Sequence, residues 1–112
     1  MSRIARSALM MTTLVASLAI TSPSPGVAAT PDALAVSSGC GACHALDKKL
    51  MGPPYKAIAA RYKGDAKAPA MLAGKVRSGG KGARGPAPML PVDQKKIGDA
   101  DLNAVIAWIL KQ

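Results

Sequence analysis

The sequence contains no Phe and no Glu, only one His, two Cys, one Trp and two Tyr in 112 residues. With Tyr55, Tyr62 and Trp108 as its aromatics, a large aromatic core is excluded. The length excludes a multidomain enzyme and leaves room for one small domain. One His and two Cys are too few for a closed structural zinc site unless an Asp carboxylate completes the four ligands. No recognition helix with clustered Arg, no aromatics interleaved with Lys and no zinc-finger spacing are present, so nucleic acid is not the expected partner. What is present is 49% apolar residues, which argues against disorder, and fifteen Lys and Arg against six Asp.

The amino end reads as a secretory signal. Arg3 and Arg6 precede an apolar-leaning run from Ala8 to Ile20, then a Pro-rich stretch and Val27-Ala28-Ala29. The run is shorter than the roughly 20 residues that span a bilayer as a helix, which disfavours an uncleaved anchor. Residues 1–29 are therefore expected to be a signal peptide cleaved after Ala29, and residues 30–112 the mature domain. Losing Arg3 and Arg6 leaves thirteen basic residues against six Asp, a formal charge of +7 on 83 residues. For an exported chain this suggests an acidic protein partner; the alternative is that the lysines serve solubility.

Four helical patches follow. Thr30 and Pro31 open the first as N-cap and first helical residue, with Asp32 in its first turn. Pro53 and Pro54 open the second, whose Tyr55, Ile58, Ala59 and Tyr62 recur at helical spacing before Gly64. The third starts near Pro69, carries Leu72, Ala73 and Val76, and stops at Ser78-Gly79-Gly80. The fourth follows Gly98 or Asp99 as cap, with Ile97 as a staple and a stripe of Leu102, Val105, Ile106 and Ile109 beside Trp108. No stretch alternates with period two, so the fold class is all-α. Between Gly79 and Gly98 lies a long segment rich in Gly and Pro that compact domains rarely carry without a task. The helices also bury little apolar surface for a domain of this size. A large apolar cofactor would answer both.

Cys40-Gly41-Ala42-Cys43-His44 is the C-x-x-C-H pattern of covalent c-type haem attachment. Two thiols at this spacing add to the two vinyl groups along one porphyrin edge, and the next residue brings an imidazole under the iron. Three other readings compete. A thioredoxin-like pair would need a preceding strand and a βαβ context, a zinc site would need more ligands, and a disulfide would close too short a loop to stabilise much. With no second His, the candidates for the opposite face of the iron are Met51, Met71, Met89 and the lysines. Met51 and Met71 read as packing residues. Met89 lies in Gly85-Pro86-Ala87-Pro88-Met89-Leu90-Pro91, where three prolines stiffen an extended backbone suited to presenting a ligand. His44 and Met89 are thus the expected metal ligands, with a Lys ligand or an open position as the alternative.

From Asp32 to Leu110 the sequence resembles the small single-haem class I cytochromes c of the bacterial periplasm. The matching motifs are Gly39-Cys40-x-x-Cys43-His44, Met51-Gly52-Pro53-x-Tyr55-Lys56, Gly85-Pro86-x-Pro88-Met89-x-Pro91 and the closing helix with Trp108. The resemblance implies short helices and a ligand-bearing loop wrapped around one covalent haem c. It implies that the Pro53 carbonyl accepts from His44 Nδ1, that Gly39 lets the first and last helices cross closely, and that Lys75 lies near a haem propionate. Three departures stand out. Arg84 occupies a position where a tryptophan often donates to the inner propionate. Val92 stands where an asparagine often donates to the Met sulfur, for which Gln94 is an alternative. Ala35 replaces a Phe that packs on the last helix.

The implied function is a periplasmic one-electron carrier, not an enzyme, acting as a monomer between acidic redox partners and without stable membrane insertion once processed. Lys48, Lys49, Lys81, Arg84, Lys95 and Lys96 are candidates for a cationic rim around the exposed haem edge. The rival reading is a haem c enzyme or sensor whose open sixth site binds peroxide or a gas. A donor domain docked on a larger oxidoreductase is a second.

Overall fold

Proline and glycine set the ends of the helices. In the computed structural model, which describes residues 19, 21–81 and 87–112, α1 is Pro31–Ser37, α2 is Tyr55–Arg61, α3 is Ala68–Ser78 and α4 is Asp99–Ile109. A 3₁₀ turn, Cys40–Ala42, follows α1. Thr30 is the N-cap of α1 with Pro31 at its first position, Pro54 is the N-cap of α2, and Gly98 is that of α4. Gly64 and Gly79, both with positive φ, lie just beyond α2 and at the end of α3. The third helix begins at Ala68, one residue ahead of Pro69, because Asp65 Oδ1 accepts from the Lys67 N–H at 2.9 Å and supports the turn before it.

The C-terminal helix is the hub, with α1, α2 and α3 all packing on it. Its core is small: Ala35, Ile97, Leu102, Val105 and Ile106 are buried, and Leu34, Leu72, Val76, Val92 and Trp108 close around them. Ile97, just before the cap, and Leu102, in the first turn, both join this cluster as a hydrophobic staple. Ala35, 2% exposed, fits against α4 without a large side chain, and Val105, 1% exposed, fills the centre. Trp108 sets its edge on the Tyr55 ring at a centroid distance of 5.3 Å. The architecture is all-α: among the described residues there is no strand, only an isolated antiparallel bridge between Gly80 and Met89.

Two expectations are corrected. Gly39 adopts φ 91°, and a Cβ there would meet nothing within 4 Å, so glycine is required by the left-handed turn into Cys40 and not by a close helix crossing. Met71 is an exposed residue of α3, not a core filler. Arg84, Gly85, Pro86 and the basic start of the proposed signal lie outside the described residues. Among the described residues no helix is long and apolar enough to cross a membrane.

Candidate functional site

The turn after α1 places the cysteines. Ser38 is buried, donates to the Leu34 carbonyl at 2.7 Å, and has its Oγ 3.5 Å from Cys40 Sγ. The Cys43 and His44 N–H groups both reach the Cys40 carbonyl, at 3.1 and 2.9 Å, which winds the motif into one tight turn. Both thiols are free and half-buried. Among the described residues no three His, Cys or Asp side chains converge as a metal site would require, which leaves the zinc reading without a ligand set.

His44 is fixed from two sides. Its Nδ1 donates to the Pro53 carbonyl at 2.7 Å, as expected from the resemblance, and this tautomer leaves the Nε2 lone pair available. The Tyr55 ring stacks near-parallel on the imidazole, 17° between planes and 5.8 Å between centroids. Burial pushes the Tyr55 hydroxyl up to about 12. Gly52 is the residue that sequence reasoning undervalued. A Cβ there would lie 2.6 Å from His44 Cε1, 2.9 Å from Nδ1 and 3.0 Å from Nε2, so only glycine lets the chain pass the ring. Its sole advance sign was its place between Met51 and two prolines.

Met89 is held by its backbone. Its N–H donates to the Gly80 carbonyl at 2.7 Å, and its carbonyl accepts from the Gly80 N–H at 3.0 Å. Gly79, at φ 67°, permits this approach, because a Cβ would lie 2.5 Å from the Met89 carbonyl oxygen. Three residues on, the Val92 N–H donates to the Val76 carbonyl at 3.0 Å, and the Val92 carbonyl accepts from Arg77 Nη1 at 3.1 Å. Gln94, a candidate donor to the sulfur, instead faces Asp99. There it and Arg77 hold the Asp99 carboxyl below the usual carboxylate range.

These elements enclose one cavity of about 620 Å³, lined by Cys40, Cys43, His44, Pro53, Lys75 and Met89 together with apolar side chains of α2, α3 and α4. Its volume is in the roughly 300–1,000 Å³ range of cofactor sites. The lining fits a haem chemically: two thiols close in sequence, an imidazole with a free Nε2, a thioether, and walls of Ile58, Leu72, Val76, Leu102 and Ile106 for an apolar macrocycle. Lys81 and Lys96 also border it, while Lys48, Lys49 and Lys95 are exposed elsewhere on the surface. Met51, expected to pack, borders the cavity.

Comparison with known proteins agrees with this chemistry. The family profile for cytochrome c matches residues 30–112. Cytochrome c2 of Rubrivivax gelatinosus is 51% identical over 83 residues, covering 74% of this chain and 98% of that protein. Cytochrome c-551 of Pseudomonas aeruginosa is 40% identical over 82 residues, 73% of this chain and 76% of that protein. The crystal structure of cytochrome c552 from Nitrosomonas europaea superposes with a TM-score of 0.64 at 41% identity, covering 70% of this chain and 94% of that one.

Proposed function

Since the chain belongs to the cytochrome c family and is an electron carrier with one covalent haem c, we propose that Cys40 and Cys43 hold the cofactor and that His44 and Met89 are its axial ligands. The observation that carries this reading is that both thiols, the imidazole and the thioether line a single apolar cavity. When bound, haem iron supplies a one-electron couple between ferric and ferrous states. The protein's part is to fix the surroundings. The Pro53 carbonyl orients His44 and raises its basicity as a ligand. Met89 supplies a thioether, and His/Met ligation raises the potential. The apolar walls keep water from the site, which lowers the local dielectric and strengthens every polar contact inside it.

By the resemblance Lys75 stands near a haem propionate, and Arg84, in place of the usual tryptophan, would give the inner propionate a charge-assisted donor. As an electron carrier the protein works between redox partners. Those partners are acidic, the carrier is a monomer, and Lys81, Lys96 and the exposed lysines steer the encounter. A weak, charge-steered contact suits a shuttle because turnover needs release. The site of action is the periplasm, reached by way of the signal in residues 1–29 with cleavage after Ala29.

Carbon monoxide tests the ligand assignment. The reduced native protein should bind it slowly or not at all, whereas Met89→Ala should bind it readily. Rapid binding by the native protein would overturn the assignment and favour a ligand-binding enzyme or sensor.

A further inference from the structure

We propose that Arg77 is a positioning residue for Met89, acting through the backbone that follows the ligand and not by touching the cofactor. The inference rests on the reading of Met89 as the sixth ligand. Arg77 is in α3 and borders no part of the haem cavity, yet its two outer nitrogens join two other elements. Nη1 donates to the Val92 carbonyl at 3.1 Å, and Nη2 pairs with Asp99 Oδ1, at the start of α4, at 2.7 Å.

The segment between these anchors has few other holds. Met89 is tied at both backbone groups to Gly80, and the Val92 N–H is tied to Val76. Pro88 and Pro91 have fixed φ and no N–H to give, and Leu90 is exposed. The Val92 side chain carries no donor and packs on the edge of the core, so the polar holds at position 92 are those of its main chain. Arg77 is thus the side chain, among the described residues, that clamps the four residues from the ligand onward against both α3 and α4.

The arginine's own accounting supports the assignment. Its Nε is buried with no partner among the described residues, so the guanidinium keeps its two outer contacts while one of its own donors goes unmet. Asp99 is largely exposed, and an exposed ion pair contributes little by itself. The half-buried bond to the Val92 carbonyl therefore does the holding, and Asp99 aims the guanidinium at it. A planar, forked head reaches both acceptors at once; a lysine has one nitrogen and cannot span them in the same way.

The test uses the haem-loaded protein and the variants Arg77→Gln, Arg77→Lys and Asp99→Asn. Each is warmed while two signals are followed: the weak far-red absorption of a thioether bound to ferric haem, and far-ultraviolet circular dichroism of the helices. In the native protein the two signals should be lost together. In Arg77→Gln the far-red band should fade while the helices persist, with the fraction of detached ligand up roughly tenfold, equivalent to about 1.4 kcal/mol. Arg77→Lys should recover part of the band, and Asp99→Asn should lose less than Arg77→Gln. If Arg77→Gln does not fold, the same early fading must appear in Arg77→Lys. Coincident loss of both signals in every folded variant overturns the positioning role and leaves the ligand assignment intact. A native protein with no far-red band overturns the ligand assignment, and the positioning role with it.

Discussion

Replacing Gly52 by alanine should weaken the protein more than any single methyl group would suggest. The added Cβ would sit 2.6 Å from His44 Cε1, whereas carbon contacts settle at about 3.5–4.0 Å, so ring or backbone must yield by about 1 Å. If the ring retreats, the 2.7 Å bond from Nδ1 to the Pro53 carbonyl lengthens beyond the hydrogen-bonding range. If the backbone retreats, the 2.8 Å bond from the Gly52 N–H to the Cys43 carbonyl is lost, and with it the closure of the haem-attachment loop. Overpacking costs about 1–3 kcal/mol and an orphaned half-buried polar group about 1–3 more. Together these give about 2–6 kcal/mol, and at about 4–8 °C per kcal/mol the thermal midpoint of so small a domain falls by at least roughly 8 °C. Thermal unfolding of the haem-loaded variant reads this directly. Gly74→Ala is the control, because a Cβ at this α3 position meets nothing within 4 Å and should leave stability equal or higher. A Gly52→Ala protein within about 0.5 kcal/mol of the native one, the ordinary scatter of surface substitutions, would refute the contact argument.

Two further predictions follow from burial and charge. The Tyr55 hydroxyl is pushed up to about 12 from 10.0, chiefly by burial. Its neutral form is thus favoured by folding, so its contribution is intact below about 10 and declines as pH rises from there through about 12; a phenolate titration against Tyr55→Phe should show the late step, and an ordinary value would contradict the burial. Electron exchange with an acidic partner protein should slow as salt rises, since exposed charges are screened over about 8 Å at physiological ionic strength; rates indifferent to salt would remove the steering role of the lysines.

The helix ends were legible because they are written in residues with few backbone options: Pro31, Pro54, Gly64, Gly79 and Gly98 stand at or just beyond observed boundaries. The cofactor motif was legible because its three reactive side chains are adjacent in sequence. The pairing of Gly80 with Met89 was not, since two residues bonded across a loop leave no alternating pattern to detect. Gly52 was undervalued because its role is the absence of a side chain, visible only once the imidazole is in place. Arg77 carried no signal at all: one arginine among fifteen basic residues becomes distinctive only when its two acceptors come from different elements. Met71 misled for a related reason, because a methionine at helical spacing reads as packing whichever way it faces.

The most direct measurement of the central claim is the mass of the exported protein and of its peptide spanning residues 40–44. The mature chain from Thr30 should carry the added mass of one haem, retained under denaturing conditions and localised to the peptide holding Cys40 and Cys43. A colourless product, or a peptide with two unmodified thiols, would contradict it.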